Sequence, residues 1–450
     1  MLLAPFLLDR CLTGAVLQMI RIRQNPLVFF WLACRVRRAI LFMILVAFLI
    51  RLAVIPFLLS DVLNPIRDHW DFGWEEGRIA RSLAVGEGFS SPLFGKTGPT
   101  SWTTPIYPLL VAGVFRICGS YTKGAAWTIL ALNSLFSALT CLPIYFVAKR
   151  CFSSRAALWA GWLWVFFPFS IFYAAGYVWG FCLDTLVMAL VLWCTLAMER
   201  RNGLRAWGSY GLLWGVAALT NPVILSTLPF LFGWLYFRRG ARLRWPSEFV
   251  TAALFLSLTV APWFVRNYIV FDRFIPFRGT FWMVFWEGNT GDTSDLFPDW
   301  TNPAHNETEM EEYRSRGEMG YVAEKKRLSL EFLRDHPGLY LRLTARRFVY
   351  IWMGFWSLRA DYLAGEPFAF WNIGISTILL ILMLAGIRRA LYTETMNTIP
   401  LLAVLVCYPL VFYIAHAATE YRHPIDPIVV IFIGVLIAGS QEEPPRTSQG

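Results

Sequence analysis

Long apolar stretches recur along this chain of 450 residues, and they constrain its fold more than any other feature. A helix needs about 20 mostly apolar residues to cross a bilayer, and inside lipid a helix satisfies its own backbone hydrogen bonds. Hydrophobic residues make up 57% of the chain and charged residues only 16%, whereas a soluble protein carries about 25% charged residues. We therefore predict an all-α polytopic membrane protein with about ten transmembrane helices. The predicted spans are 39–60, 123–148, 156–174, 178–198, 207–222, 223–237, 247–266, 368–387, 397–416 and 425–440.

Clusters of arginine and lysine occur at alternate loops between these spans. Loops rich in such residues remain on the cytoplasmic side of a membrane. All the clusters fall on one side if both termini are cytoplasmic, which is the orientation that we predict. The net charge of +10 is then explained by topology, and we expect no nucleic-acid partner. The clusters are Arg35/Arg37/Arg38, Lys149/Arg150/Arg155, Arg200/Arg201/Arg205, Arg238/Arg239/Arg242/Arg244 and Arg388/Arg389.

The same orientation places two long polar segments on the extracytoplasmic side. The first covers 61–122 and contains the short apolar stretch Pro105–Gly119, which we expect to form a helix at the interface. The second covers 267–366 and contains a predicted helix at Tyr321–Arg334 and an aromatic amphipathic run at Tyr340–Trp356. External segments of this length are usually functional.

The remaining predictions concern the division of the chain into segments and its cysteines. Residues 1–38 carry several arginines and no obvious cleavage site, so we expect a cytoplasmic or interfacial segment rather than a cleaved signal peptide. Residues 39–440 form the predicted transmembrane domain, and 441–450 form a cytoplasmic tail. The eight cysteines show no metal-binding spacing. We therefore predict no firm cofactor and no defined metal ligands, although the acidic residues leave room for a divalent cation.

Three carboxylates stand close together where the chain leaves the first span. The stretch WDFGWEEGRIARSLAVGEGF begins at Trp70 and contains Asp71, Glu75 and Glu76. A carboxylate that is partly buried beside a membrane has a raised pKa and is a competent general base. The alternative is an ordinary helix-surface ion pair between Glu75 and Arg78, which stand three residues apart.

This stretch and the segment GPTSWTTPIYPLLVAGVF resemble the first external loop of GT-C-type membrane glycosyltransferases. The resemblance is to the family-39 branch, which includes protein O-mannosyltransferases and lipid A amino-arabinose transferases. The segments APWFVRNY, GEMGYVAEK, HPGLYLRLTARRF and YRHPIDP resemble patterns of its bacterial members, so that the likeness covers about 39–440. It implies a GT-C-like helical bundle, a sugar donor on a polyprenyl phosphate, and inverting attack by an acceptor hydroxyl.

The resemblance also implies roles for the acids of the first loop. Glu75 and Glu76 fall on the family's acidic pair, which makes Glu75 the expected base. Glu76 becomes a partner that orients the acceptor or a metal ion, and Asp71 is a secondary candidate. The family commonly has Asp at the first of these positions, so Glu75 is one methylene longer.

A second departure concerns the phosphate of the donor. The family often has a lysine before the prolines of the interfacial helix, whereas this chain has Thr103 and Thr104 there. The expected phosphate ligands are therefore Arg422, Lys96 or Arg266. Arg422 is preferred because a guanidinium matches phosphate oxygens and because it lies in a short external turn. Its neighbour His423 is a candidate contact for the sugar or the acceptor.

The second long segment offers Glu287 and Asn289, which follow an aromatic run. Sugars are commonly bound by carboxylates and amides against aromatic faces, although a plain turn accounts for the same residues. The whole pattern predicts a hexosyl- or pentosyltransferase of the bacterial inner membrane, with a lipid, protein or polysaccharide acceptor.

Two other functions remain open at this stage. A transporter or flippase of lipid-linked or small solutes would carry charges at mid-membrane, and Asp184 is the main ionisable residue within a predicted span. A non-catalytic envelope-assembly protein would pair the first-loop acids with Arg78 and Arg81.

Overall fold

The structure is a computed structural model that describes residues 26–240, 245–290, 299–366 and 368–439. The expected tail 441–450 and most of the expected segment 1–38 lie outside these residues. The described part of the chain is helical and contains no β-strand, only one isolated bridge between Ser90 and Pro99. The all-α prediction is therefore confirmed.

The described residues contain eighteen α-helices, three 3₁₀ helices and a single helical turn at Ile66–His69, which follows the first helix. The α-helices are α1 Pro26–Val62, α2 Trp74–Ala84, α3 Ile106–Cys118, α4 Lys123–Leu139, α5 Cys141–Cys151, α6 Ser154–Val165, α7 Pro168–Gly176, α8 Phe181–Met198, α9 Leu204–Thr220, α10 Leu228–Arg239, α11 Trp245–Phe271, α12 Phe281–Gly288, α13 Glu307–Asp335, α14 Pro337–Met353, α15 Ala360–Gly365, α16 Ala369–Cys407, α17 Leu410–Ile414 and α18 Asp426–Ala438. The 3₁₀ helices are Pro222–Thr227, Asp299–Thr301 and Thr419–Ile425.

Six stretches of helix in the described residues are long and apolar enough to cross a membrane, and the bent pair α6–α7 makes a seventh. The stretch Ala369–Ile414 has 46 residues and covers two predicted spans, with a break in helical geometry at Glu394. Helices α9 and α10 cover two further predicted spans but are shorter. Each predicted span thus has a helical counterpart, and the chain is a multi-pass membrane protein. The six stretches are Arg37–Val62, Lys123–Cys151, Phe181–Met198, Ser247–Phe271, Ala369–Ile414 and Thr419–Ala438.

Glycines allow some of these helices to approach closely. A Cβ atom on Gly211 of α9 would lie 2.1 Å from the carbonyl oxygen of Ala252 on α11. A Cβ atom on Gly386 of α16 would lie 2.1 Å from the carbonyl oxygen of Phe432 on α18. Small residues at such crossings let helix backbones touch inside a membrane, where packing rather than water expulsion drives association.

One charged side chain within a span was not singled out by the sequence. Arg51 of α1 is fully buried. Its guanidinium donates to the Ser137 hydroxyl at 2.9 Å, to the Ser170 hydroxyl at 2.6 Å and to the Trp164 carbonyl at 3.1 Å. A buried cation with this many acceptors is a structural tie between helices, and it does not line either of the cavities described below.

The two long polar segments pack against each other over the helical bundle. Their aromatic and aliphatic side chains, together with Trp263 of α11, form one buried cluster. Glu318 of α13 adds a polar tie, because its carboxylate accepts hydrogen bonds from Thr100, from the backbone and hydroxyl of Ser101, and from Tyr313. Residues 100–104 of the first long segment are thereby held against the second. The buried cluster comprises Trp70, Ile79, Phe89, Leu93, Trp102, Trp263, Met283, Ala304, Met310, Tyr313, Tyr321 and Val322.

Candidate active site

Two adjoining cavities lie where the long polar segments meet the bundle. The Glu75 cavity has a volume of about 320 Å³. The Glu76 cavity has a volume of about 450 Å³ and a more apolar wall, which includes Pro222, Phe277 and Phe412. The two cavities share Arg278 and further wall residues, so a ligand could occupy both at once. The other shared residues are Trp179, Phe181, Val284, His416, Glu420 and Tyr421.

Helix α2 directs its first two acids into different cavities. It begins after Gly73, whose backbone has a φ of +91°, and a Cβ atom there would lie 2.8 Å from the carbonyl oxygen of Val178. Only glycine adopts this conformation cheaply. Because consecutive helical residues differ by about 100° in direction, Glu75 lines one cavity and Glu76 the other.

The segment Thr100–Thr104 organises the wall between the cavities. The carbonyl oxygen of Trp102 accepts hydrogen bonds from Arg278 Nε at 3.0 Å and from the Thr280 hydroxyl at 3.2 Å. The Thr103 hydroxyl donates to Glu76 Oε1 at 2.9 Å, and the Thr104 hydroxyl donates to the Thr220 carbonyl at 2.7 Å. The two threonines that stand where the family often has lysine thus act as hydrogen-bond donors within the fold.

Glu75 has the environment of a base. Burial raises the pKa of its carboxyl above the ordinary value, while the charge of Arg278 and a hydrogen bond from the Trp102 side chain act in the opposite direction. A raised pKa makes a carboxylate a stronger base. Aromatic side chains surround it in the cavity: Trp70, Trp74, Trp102, Tyr177 and Trp179.

Glu76 has a different environment from its neighbour. Burial raises the pKa of its carboxyl to about 8, and the nearby charge of Asp184 acts in the same direction. Its Oε1 accepts from Thr103, whereas Oε2 is buried without a hydrogen-bond partner in the described residues. Ionising an oxygen that has no partner is costly, so this carboxyl is neutral near pH 7. Asp184 lines the same cavity and accepts a hydrogen bond from Asn221 at 3.0 Å.

Glu287 from the second long segment faces the same cavity as Glu75. Its pKa is raised to about 8, chiefly by burial and in part by the charge of Glu75, while a hydrogen bond with Asn302 acts in the opposite direction. Two carboxyl groups in one cavity do not ionise independently. Arg278 is a counter-charge for Glu75, whereas the charge of Glu75 opposes ionisation of Glu287.

The structure places the expected phosphate ligands away from both cavities. Arg422 Nε donates to Asp426 Oδ1 at 2.9 Å, and its Nη1 donates to the Ile351 carbonyl at 3.1 Å. Lys96 is exposed and pairs with Glu87. Arg266 donates to the carbonyl oxygens of the first loop. None of these three cations lines a cavity, because each is held by partners elsewhere.

Three other candidates also have structural partners rather than a place in a cavity wall. His423 is fully buried, lies 3.1 Å from Asp426 and stacks on Trp164. Asp71 accepts a hydrogen bond from Asn64 at 3.0 Å. Asn289 is fully buried and accepts a hydrogen bond from Arg347.

Arg278 is the site residue that the sequence did not single out. Among the described residues it is the one arginine or lysine that lines either cavity. It follows Pro276 in the second long segment and stands directly before the aromatic helix α12. The sequence shows a basic residue before an aromatic helix, but only the fold shows that Arg278 donates a hydrogen bond to the Trp102 carbonyl.

The first-loop arginines do not pair with the acids of α2. Arg78 Nη1 and Arg81 Nη1 lie 2.9 and 3.1 Å from Asp68 Oδ2. Arg78 also donates to the carbonyl oxygens of Arg67 and Asp68. The expected alternative of a surface ion pair between Glu75 and Arg78 is therefore wrong.

No group of three or more His, Cys, Asp or Glu side chains in the described residues is arranged to hold a metal ion.

Residues 102–265 match the family model of dolichyl-phosphate-mannose-protein mannosyltransferases. This match confirms the resemblance to family-39 glycosyltransferases that was predicted from the sequence. The matched segment begins at Trp102, beside the cavities, and includes Asp184 and Asn221. A comparison with curated protein sequences gave no match.

Two solved membrane proteins are similar in structure. The oligosaccharyltransferase AglB from Archaeoglobus fulgidus, in complex with an inhibitory peptide and a dolichol-phosphate, has 13% identity and a TM-score of 0.46, with 88% of this chain and 50% of that chain covered. ArnT from Cupriavidus metallidurans, bound to undecaprenyl phosphate, has 14% identity and a TM-score of 0.40, with 88% and 76% covered. The chain spans about half the length of the archaeal enzyme.

Proposed function

We propose that this chain is a membrane glycosyltransferase that moves a sugar from a polyprenyl-phosphate donor to an acceptor hydroxyl. The observation that carries the proposal is the joint placement of Glu75 and Arg278. A base and a cation lie on the walls of adjoining cavities, one polar and aromatic, the other larger and apolar. The description of the matched family, whose donor is a sugar on dolichyl phosphate, supports the same chemistry.

The donor would lie across both cavities. Its lipid would occupy the apolar Glu76 cavity, and its sugar would occupy the Glu75 cavity, where aromatic faces and polar groups meet. Its phosphate would then lie at the shared wall, against Arg278. The guanidinium donates to Trp102 through Nε, which orients the group and leaves Nη1 and Nη2 for phosphate oxygens.

The reaction follows from this placement. Glu75 accepts the proton of the acceptor hydroxyl, and the hydroxyl oxygen forms a bond with the anomeric carbon. The bond between that carbon and the phosphate oxygen breaks, and the electron pair leaves with the lipid phosphate, whose charge Arg278 stabilises. A single displacement inverts the anomeric centre. General-base assistance is worth roughly 10²–10⁴ in rate.

The proposal also assigns substrate contacts to Glu287 and Glu76 and gives the side of the membrane on which the site lies. Glu287 lines the Glu75 cavity and would bind a hydroxyl of the sugar or acceptor. Glu76 would carry its proton and hydrogen-bond a donor oxygen. The arginine clusters support an orientation with cytoplasmic termini and a site on the extracytoplasmic face of a bacterial inner membrane.

Reconstitution into bilayer nanodiscs tests the proposal. Polyprenyl-phosphate-linked hexoses and pentoses are added to the purified protein as donors, and envelope lipids, glycans or peptides are added as acceptors. We expect release of free polyprenyl phosphate that depends on both the protein and the acceptor. Movement of intact donor across proteoliposomes without cleavage would instead favour a flippase, and donor binding without turnover would favour an assembly protein.

A further inference from the structure

We infer that Arg347 of α14 is a positioning residue, which fixes the distance between two walls of the Glu75 cavity by tying the end of α12 to the end of α17 and the residue that follows it. The inference rests on the proposed function, because it concerns the geometry in which that cavity performs chemistry. It gives a role to a residue of the segment HPGLYLRLTARRF that touches neither cavity.

Arg347 is 1% exposed, and its guanidinium makes four hydrogen bonds, each 2.8 Å long. Two go to the end of α12, namely to the Gly288 carbonyl and to Asn289 Oδ1. The other two go to the carbonyl oxygens of Tyr413 and Ala415. A planar guanidinium with fixed donor directions holds acceptors in one relative geometry, which a lysine ammonium does not.

Asn289 completes the tie from the opposite side. Its side-chain nitrogen donates to the carbonyl of Phe285 at 2.8 Å and to the carbonyl of Ala415 at 3.2 Å. The amide thus accepts from Arg347 and donates to both segments that Arg347 joins. This explains why a residue expected to contact sugar is fully buried instead.

The backbones joined in this way are in direct contact. A Cβ atom on Gly288 would lie 2.0 Å from the Ala415 carbonyl oxygen. Glycine is needed here because any side chain would push the two segments apart. Arg347 supplies the hydrogen bonds that keep them together.

Each tied segment continues into the cavity wall by one residue. Glu287 precedes Gly288, and His416 follows Ala415, and both line the Glu75 cavity. A change in the tie therefore changes the separation of Glu287 and His416 across the space that the substrate would occupy. Misplacing a reacting or orienting group by about 1 Å can reduce a rate about 100-fold.

The experiment compares Arg347→Lys with Arg342→Lys, which keeps the helix and the charge but lies at an exposed position of α14. In nanodiscs, we expect Arg347→Lys to lower kcat at least about tenfold, with little change in the KM for donor because Arg278 is untouched. The control should retain wild-type kinetics. Wild-type turnover is measured first, so that absence of any reaction counts against the proposed function and not against the tie.

A double-mutant cycle with Glu287→Gln separates positioning from general stability. If Arg347 acts through Glu287, the loss caused by Arg347→Lys should shrink to less than about threefold in the Glu287→Gln background. An equal loss in both backgrounds, or no loss in either, would overturn the inference.

Gly288→Ala provides a second route if Arg347→Lys does not fold. This variant keeps the arginine and separates the same two segments. We expect it to lower kcat as Arg347→Lys does, with the same dependence on Glu287. A folded Gly288→Ala variant with wild-type kcat would contradict the tie.

Discussion

Arg278 is the residue on which the account of donor binding depends. It lines both cavities and is oriented by the carbonyl oxygen of Trp102. Arg278→Ala should raise the KM for donor roughly 10- to 100-fold, because it removes a charge-assisted contact with phosphate, while kcat falls less. Initial rates at varied donor concentration measure this split. Arg273→Ala, at an exposed position of the same segment, should be unchanged, and a normal donor titration for Arg278→Ala would exclude the contact.

The raised pKa of Glu76 makes a prediction about pH. Because burial raises that pKa to about 8, the carboxyl is neutral at pH 7, and it ionises as the pH rises through 8. The new charge would lie beside Asp184 and weaken the hold of Arg278 on phosphate. Wild-type activity should therefore decline above about pH 8.

Glu76→Gln separates this titration from other alkaline effects. Gln is neutral at every pH and keeps an N–H donor, so the variant should retain wild-type activity at pH 7 within a few-fold. Its decline above pH 8 should be smaller than that of the wild type but not absent, because Glu287, whose pKa is also about 8, still ionises there. Rates between pH 6 and 9.5 provide the measurement. A variant that is inactive at pH 7 although folded would show that Glu76 acts as a base or a metal ligand.

The acids of the site are recognisable in the sequence, but their counter-charge is not. Glu75 and Glu76 could be found because they stand together at the start of a helix next to a span. Arg278 could not, because it reaches Glu75 from about 200 positions further along the chain, through a contact with Trp102 that depends on the fold. Arg422 was preferred for its place in a short turn, whereas the fold provides Asp426 as its partner.

The helices themselves were largely predictable, because the length of the apolar stretches decides them. The stretch 74–84 that carries the acids is helical as expected. In the second long segment, the predicted helix Tyr321–Arg334 matches the part of α13 that follows a break in helical geometry at Gly317, whereas the part from Glu307 to the break was not predicted. The two parts of α13 are joined across this break by an ion pair between Lys325 and Glu309 at 2.6 Å, which no local pattern reveals.

The close contact between helices α9 and α11 gives a prediction about stability. Gly211→Val should loosen the crossing of α9 and α11, because its Cβ would overlap the Ala252 carbonyl oxygen. Overpacking of this kind costs about 1–3 kcal/mol. Thermal unfolding in detergent should show a lower midpoint. Gly233→Val, where a Cβ atom meets nothing within 4 Å, is the control, and equal midpoints for the two variants would contradict the contact.

The molecule as a whole is a helical bundle covered by two long polar segments, and its cavities exist only where all three parts meet. Glu75 comes from the first segment, while Arg278 and Glu287 come from the second. The bundle supplies Trp179, Glu420 and the apolar wall. The Glu318 tie to Thr100 and Ser101 and the Arg347 tie to Gly288 hold these parts in register. We therefore expect the chemistry to depend on residues that never touch a substrate.

The central claim is that Glu75 accepts the acceptor proton. It is tested most directly by the single-turnover rate of Glu75→Gln in nanodiscs, beside Glu87→Gln as a matched control from the same loop. Gln preserves shape but cannot accept a proton, so the account predicts a rate loss of about 10²–10⁴ with donor affinity unchanged and wild-type behaviour for the control. A Glu75→Gln variant that transfers sugar at the wild-type rate would contradict it.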